Sequence, residues 1–211
     1  MAQALGYHYL DSGALYRVTA HAAVQAGLSL DAAHQSQIAD IARHLPLQFQ
    51  GDRVLLKGQD VTDAIRSETG GMRASLVSVL PQVRTALVDL QHSFARLPGL
   101  VADGRDMGTV IFPRADLKVF LTASATARAQ RRHAQVLQRG QSAVFEELLA
   151  DLQARDARDS HRSAAPLRQA DDAMALDNTR VSIEDSVTQV LSWWGVKRAA
   201  PDGRGPVNRP R

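Results

Sequence analysis

The residues best suited to phosphate chemistry fall in three short stretches. The first is Ala102 to Thr109, ADGRDMGT. The apolar run Leu100-Val101-Ala102 ends in Asp103, and Arg105 and Asp106 follow almost at once. Two carboxylates and a guanidinium then lie at the carboxyl end of a buried strand, where open α/β sheets bind ligands. Gly104 between them permits a tight turn or a close backbone approach. A structural Asp–Arg pair at a turn is the plain alternative, but three charges directly after a buried strand need a partner. The second stretch is Asp11 to Arg17, DSGALYR. A short strand running into a helix points backbone N–H groups above the sheet, and helix N-termini attract phosphate. Ser12 is the expected cap. Arg17, just over one turn in, can fork a phosphate. A capped helix with a surface arginine explains the same residues. The third stretch is Arg155 to Arg162, RDARDSHR. Phe145, Leu148, Leu149 and Leu152 form a helical stripe, and its register continues as Arg155, Arg158/Asp159 and Arg162. Charge in register with a core stripe points to arginines aimed inward at a polyanion. Helix-end charge pairs remain the alternative.

A further basic stretch, Arg128 to Gly140, sets Arg128, Arg131/Arg132, Gln135 and Arg139 on one helical face. Such a face is ordinarily solvated. Next to RDARDSHR it reads as the other arm of an Arg-rich helical hairpin. His133, Trp193 and Trp194 read as packing residues.

The elements that must hold these stretches alternate between strand and helix. MAQAL before Gly6 reads as the last turn of a helix with glycine just past its end. Tyr7–Leu10, Leu100–Asp103, Leu117–Thr122 and a segment within 172–177 read as strands of a parallel sheet. Helices are expected near 14–26, 32–44, 67–79, 81–96, 125–139, 145–161 and from Ser182 to about Trp194. Short strands at 45–49, 53–57 and 59–61, around Gly51 and Gly58, form a small antiparallel lobe. The expected class is α/β, a parallel sheet flanked by helices. A domain over 1–196 carries an insertion at about 32–96 and a lid at about 125–163, followed by a basic disordered tail at 197–211.

Composition narrows the function. The 211 residues are 45% hydrophobic and 22% charged, which suffices for one real core. There is no cysteine, which removes thiol nucleophiles and Cys-ligated zinc. No apolar run approaches a membrane span, and no secretory signal opens the chain. A cytoplasmic protein is expected. The net charge is +3, yet Lys197, Arg198, Arg204, Arg209 and Arg211 against Asp202 place +4 in the tail, leaving −1 on the body. Charge therefore gives little support to nucleic-acid binding. Lys57, Lys118 and Lys197 are the only lysines, so a phosphate site must rest on arginine forks and backbone amides. No Gly-x4-Gly-Lys-Ser/Thr loop occurs.

Taken together, DSGALYR, SLVSVLPQVRTAL, LPGLVADGRDMGTVIFP, KVFLTASATARAQRR and RDARDSHRSAAPL closely resemble, in order and spacing, the bacterial cytidylate kinases. The resemblance spans about Ala2 to Trp194. It implies a P-loop nucleoside monophosphate kinase fold with a CMP-binding insertion and an Arg-rich lid. The implied reaction moves the γ-phosphoryl of ATP, carried with Mg²⁺, to CMP or dCMP. By the same resemblance, Ser12 and Arg17 belong to the first CMP segment, with Arg17 on the phosphate. Ser75 and Arg84 read the cytosine edge, and Asp106 accepts from its amino group. Arg105 and Arg162 are phosphate ligands, and Arg155 and Asp159 contact the ribose. Arg131 and Arg158 are lid arginines that neutralise transition-state charge. Asp103 stands where a ligand to Mg²⁺-bound water would. A monomer with no membrane or specific nucleic-acid partner is expected.

The family pattern opens with a strand and a loop of the form GPxxxGKGT, ahead of the helix that ends ALGYHYLDSG. This sequence opens at that helix's end. The expectation is a start placed too late, with the absent strand belonging between the LVAD and KVFLT strands. Two alternatives stand beside the kinase: a non-catalytic CMP-binding remnant, and a nucleic-acid-binding protein using the arginine clusters.

Overall fold

The structure, a computed structural model, describes residues 1–138, 140, 142–161 and 167–199, with the side chains of 159–161 left aside. A single turn, α1 (Ala2–Leu5), is closed by Gly6 in the left-handed region at φ 65°, as the sequence predicts. Strand β1 (His8–Asp11) runs directly into α2 (Ser12–Gln25). The cap of α2 is Asp11 rather than Ser12: its Oδ1 accepts from the Ala14 N–H at 2.8 Å. A 3₁₀ turn at Ala32–His34, capped by Asp31, precedes α3 (Gln35–Arg43).

The antiparallel lobe comprises β2 (Leu47–Gln50), β3 (Arg53–Leu56) and β4 (Gln59–Asp60), in that order. The single helix expected over 67–79 is preceded by a short one. These are α4 (Thr62–Arg66) and α5 (Glu68–Ser78), separated by Ser67, whose hydroxyl accepts from Gly70 N–H. A Cβ at Gly70 would lie 2.5 Å from the Ile65 carbonyl oxygen, so only glycine lets the two helices meet there. Helix α6 (Pro81–His92) starts with proline at its first turn.

Strand β5 (Leu100–Asp103) pairs in parallel with β1, from His8 opposite Leu100 to Asp11 opposite Asp103. It leads to a π-helical turn at Met107–Ile111 that the sequence pattern does not announce. Strand β6 (Val119–Thr122) pairs in parallel with β7 (Met174–Asp177). Between them lie α7 (Ala125–Gln138) and α8 (Phe145–His161), and α9 (Ile183–Ala199) closes the described chain. The parallel strands thus form two separate ladders, and among the described residues β5 and β6 share no pairing.

Two apolar clusters hold the first ladder. Leu10, Leu15, Tyr16, Ala20 and Ala23 meet Ile38, Ala39 and Ala42 of α3, Ala74 and Val77 of α5, and Val83 and Leu87 of α6. The alanines on α2 and α3 let the helices approach closely. Each fully buried leucine contributes about 2 kcal/mol by removal from water. The lobe packs on the other face of α2 through Val18, Val54, Leu56, Val61 and Ile65. The LVAD strand is less buried than its sequence implies: Leu100, Val101 and Ala102 are half-buried and Asp103 is exposed.

Candidate active site

The core fixes α2, α5 and α6 so that their polar residues converge on the carboxyl end of β5. The result is a cavity of about 250 Å³. Helix α2 and its cap contribute Asp11, Ser12, Gly13, Tyr16 and Arg17. Helix α5 contributes Ala74, Ser75 and Ser78, and α6 contributes Arg84. Asp103, Gly104, Arg105 and Asp106 follow β5, and Arg155 enters from α8. Eight of the twelve residues expected from the sequence therefore line one space.

At one end lies a buried ion pair. Asp106 is 5% exposed and accepts from the Arg84 guanidinium, whose side chain is 11% exposed. Arg84 Nη1 also donates to the Ser78 carbonyl at 3.3 Å. A pair this dry is held in place because separating its members strands a buried charge. The Asp106 carbonyl in turn accepts from Val110 N–H at 2.9 Å, so the π-helical turn orients it.

At the other end the groups suit an anion. Arg17 Nη2 donates to Asp11 Oδ2 at 2.9 Å, and Arg17 Nε is buried without a hydrogen-bond partner. A Cβ at Gly104 would sit 2.9 Å from Ser12 Oγ and 3.0 Å from Met107, so a larger residue there would push these side chains aside. The cavity carries four arginines against three carboxylates. Asp103 has its pKa pushed up, first by the protein packed around the carboxyl although part of the residue reaches solvent. The Asp11 charge opposite it in the ladder adds to this, and Arg105 and Arg17 pull the other way. Such a carboxylate favours a nearby positive charge. Among the described residues no group of three His, Asp or Glu side chains could hold a metal ion.

The two arginines expected to act from a lid divide. Arg158 Nε donates to Ser75 Oγ at 3.2 Å, which puts Arg158 at the cavity wall. Arg131 does not reach it: its guanidinium donates to Asn178 Oδ1 at 3.1 Å and to the Asn178 carbonyl, tying α7 to the loop after β7. The rest of the basic face of α7, read as one arm of an Arg-rich hairpin, is committed in the same way. Arg128 forks Asp156 of α8 and holds that carboxyl below its usual range. Arg132 Nε donates to Glu68 at 2.6 Å, and Arg132 Nη2 donates to the Arg66 carbonyl at 3.0 Å. His133 is a packing residue as expected, edge-on to Phe145 and bonded to the Ala143 carbonyl. Trp194 packs edge-on to Tyr7. Arg162 and the Asp159 side chain lie outside the described residues.

Sequence reasoning missed Asp11, Tyr16 and Ser78. Asp11 was legible, since aspartate ranks with serine as a cap. Asp11 and Arg17 also border a second cavity of about 180 Å³ toward the lobe, with Tyr9, Phe49 and Arg66. The Tyr9 hydroxyl is pushed up to about 12 there, by burial and then by the Asp103 and Asp11 charges.

A family model described as Cytidylate kinase matches residues 1–194. The cytidylate kinase of Cupriavidus necator is 54% identical over 198 residues, 94% of this chain and 88% of that protein. That of Polynucleobacter necessarius is 51% identical over 194 residues, 92% of this chain and 89% of its own. That of Burkholderia cenocepacia is 53% identical over 194 residues, 92% and 84%. With a cavity of arginines and carboxylates at the end of β5 and a family match over nearly the whole length, the chain belongs to the cytidylate kinase family, enzymes of the P-loop nucleoside monophosphate kinase fold.

Proposed function

We propose that the cavity binds CMP or dCMP as the acceptor of the γ-phosphoryl group of ATP. The observation that carries this reading is the buried Arg84–Asp106 pair sharing one cavity with Ser75, Arg17 and Arg105. Asp106 only accepts and Arg84 only donates. Cytosine offers the matching edge: its amino group donates, and its ring nitrogen and carbonyl oxygen accept from Ser75 and Arg84. Uracil offers a carbonyl where the amino group would be, which sets two acceptors against each other.

Arg17 and Arg105 take the monophosphate at the opposite end, with Arg162 completing the set. Binding there requires Arg17 to share its fork with Asp11. Arg155 and Asp159 hold the sugar, which accommodates ribose and deoxyribose. The acceptor phosphate oxygen is already ionised at neutral pH, so no strong general base is needed. Arg158 supplies positive charge from the lid side as charge moves in the transition state only by leaving Ser75 Oγ. Arg131 joins it only by exchanging its bonds to Asn178 for bonds to substrate. Mg²⁺ carried with ATP would supply charge neutralisation on the transferring group, and Asp103 is the residue that would meet its hydration shell. The enzyme is read as a cytoplasmic monomer, and among the described residues no helix is long and apolar enough to cross a membrane.

The second reading is acceptor binding without turnover. Calorimetric titration with CMP, paired with a coupled assay using ATP, tests both. Saturable CMP binding supports the acceptor site, and turnover then separates kinase from binding remnant. No heat with CMP rejects the site. The nucleic-acid reading is disfavoured because Arg128, Arg131 and Arg132 are all engaged by internal partners.

A further inference from the structure

We infer that Arg158 sets the hydrogen-bonding sense of the Ser75 hydroxyl, making it a donor to the base and sharpening the choice of cytosine over uracil. This rests on the reading of the cavity as a CMP site. Ser75 is buried on α5, 6% exposed, and lines the cavity with Arg84 and Asp106. A serine hydroxyl can donate or accept, so by itself it discriminates poorly between base edges. Here the choice is biased. Arg158 Nε donates to Ser75 Oγ at 3.2 Å, occupying a lone pair and setting a cation behind the oxygen. The hydroxyl proton is repelled from that cation, which leaves donation toward the cavity as the favoured role.

Cytosine and uracil differ in the sense of two neighbouring positions. Asp106 reads the exocyclic group. The ring nitrogen beside it accepts in cytosine and carries a proton in uracil. A hydroxyl committed as donor suits the first and faces the second proton to proton. Arg158 is therefore a positioning residue that acts through Ser75. Its place on α8 also links the lid to base recognition across the α5 wall.

The test is calorimetric titration of CMP and UMP into the full chain and into Arg158→Ala, Arg158→Lys, Ser75→Ala and the Arg158→Ala/Ser75→Ala double variant. The lysine variant keeps the charge and removes the Nε–H geometry. The ratio of UMP to CMP dissociation constants should fall about tenfold in Arg158→Ala and in Ser75→Ala, the weight of one charge-assisted hydrogen bond, and by less in Arg158→Lys. The double variant should fall no further, because both changes remove one interaction. Equal weakening of CMP and UMP in the Arg158 variants, or additive effects in the double, overturns the inference while leaving the CMP site standing. Absence of CMP binding by the unmodified chain overturns the site reading and the inference with it.

Discussion

The two parallel ladders are built alike and supported differently. β1–β5 sits on a continuous apolar cluster drawn from α2, α3, α5 and α6. Among the described residues β6–β7 has no comparable backing. Beyond Ile111, only Ala127, Ala129, Val136 and Leu148 are buried apolar residues among those described, and α9 buries none. Leu121 and Ile183 are 57% and 70% exposed. Polar ties take the place of a core: Lys118 to Asp172 at 2.9 Å, Arg131 to Asn178, and Arg128 to Asp156. Partly exposed ion pairs contribute little and weaken with salt. The cavity at the end of β5 draws mostly on the well-packed region, with Arg155 in its lining and Arg158 at its wall coming from the other. The cavity is thus built mainly by the well-packed half of the described chain.

Breaking the stable half should cost most. Asp106→Ala leaves Arg84 charged and buried, an expected loss of about 4 kcal/mol by chemical denaturation. CMP binding should go with it. Leu87→Ala opens a cavity in the main cluster and should cost about 3 kcal/mol in the same measurement. Arg128→Ala in the lid hairpin should cost at most about 1 kcal/mol, and 1 M NaCl should erase most of the difference. Leu121→Ala, on the unsupported ladder, should stay within about 0.5 kcal/mol.

Acid should divide the same two regions by sign. The Asp103 carboxyl lies above its ordinary value of 3.8 in the folded chain. The folded state therefore binds that proton first, and this group adds stability as pH falls from above its folded value toward 3.8. Asp156 lies below 3.8, so its contribution is complete above that value and is lost as pH falls through its folded one. Carbon-13 titration of the two carboxyls by NMR checks both directions. Asp103→Asn should remove the first effect and leave the second.

Much of the site was legible because strand ends and helix starts concentrate charge where a sheet can present it. ADGRDMGT and DSGALYR announce their own positions. The partners of the lid arginines were not legible. Helical periodicity puts Arg128, Arg131 and Arg132 on one face, yet their guanidinium groups reach Asp156, Asn178 and Glu68 on three separate elements. Long side chains choose partners by tertiary distance, which spacing along one helix does not contain. The separate α4 was hidden for a related reason. Its boundary depends on Gly70 packing against the Ile65 carbonyl, a contact made only when the chain turns.

Backbone hydrogen exchange, with and without CMP, tests the central claim most directly. Amides of α2, α5 and α6 should be slow to exchange and slower still with CMP, while those of β6, β7 and α9 stay fast in both conditions. Uniform protection across the two ladders, or CMP protection appearing first in β6 and β7, would contradict the account.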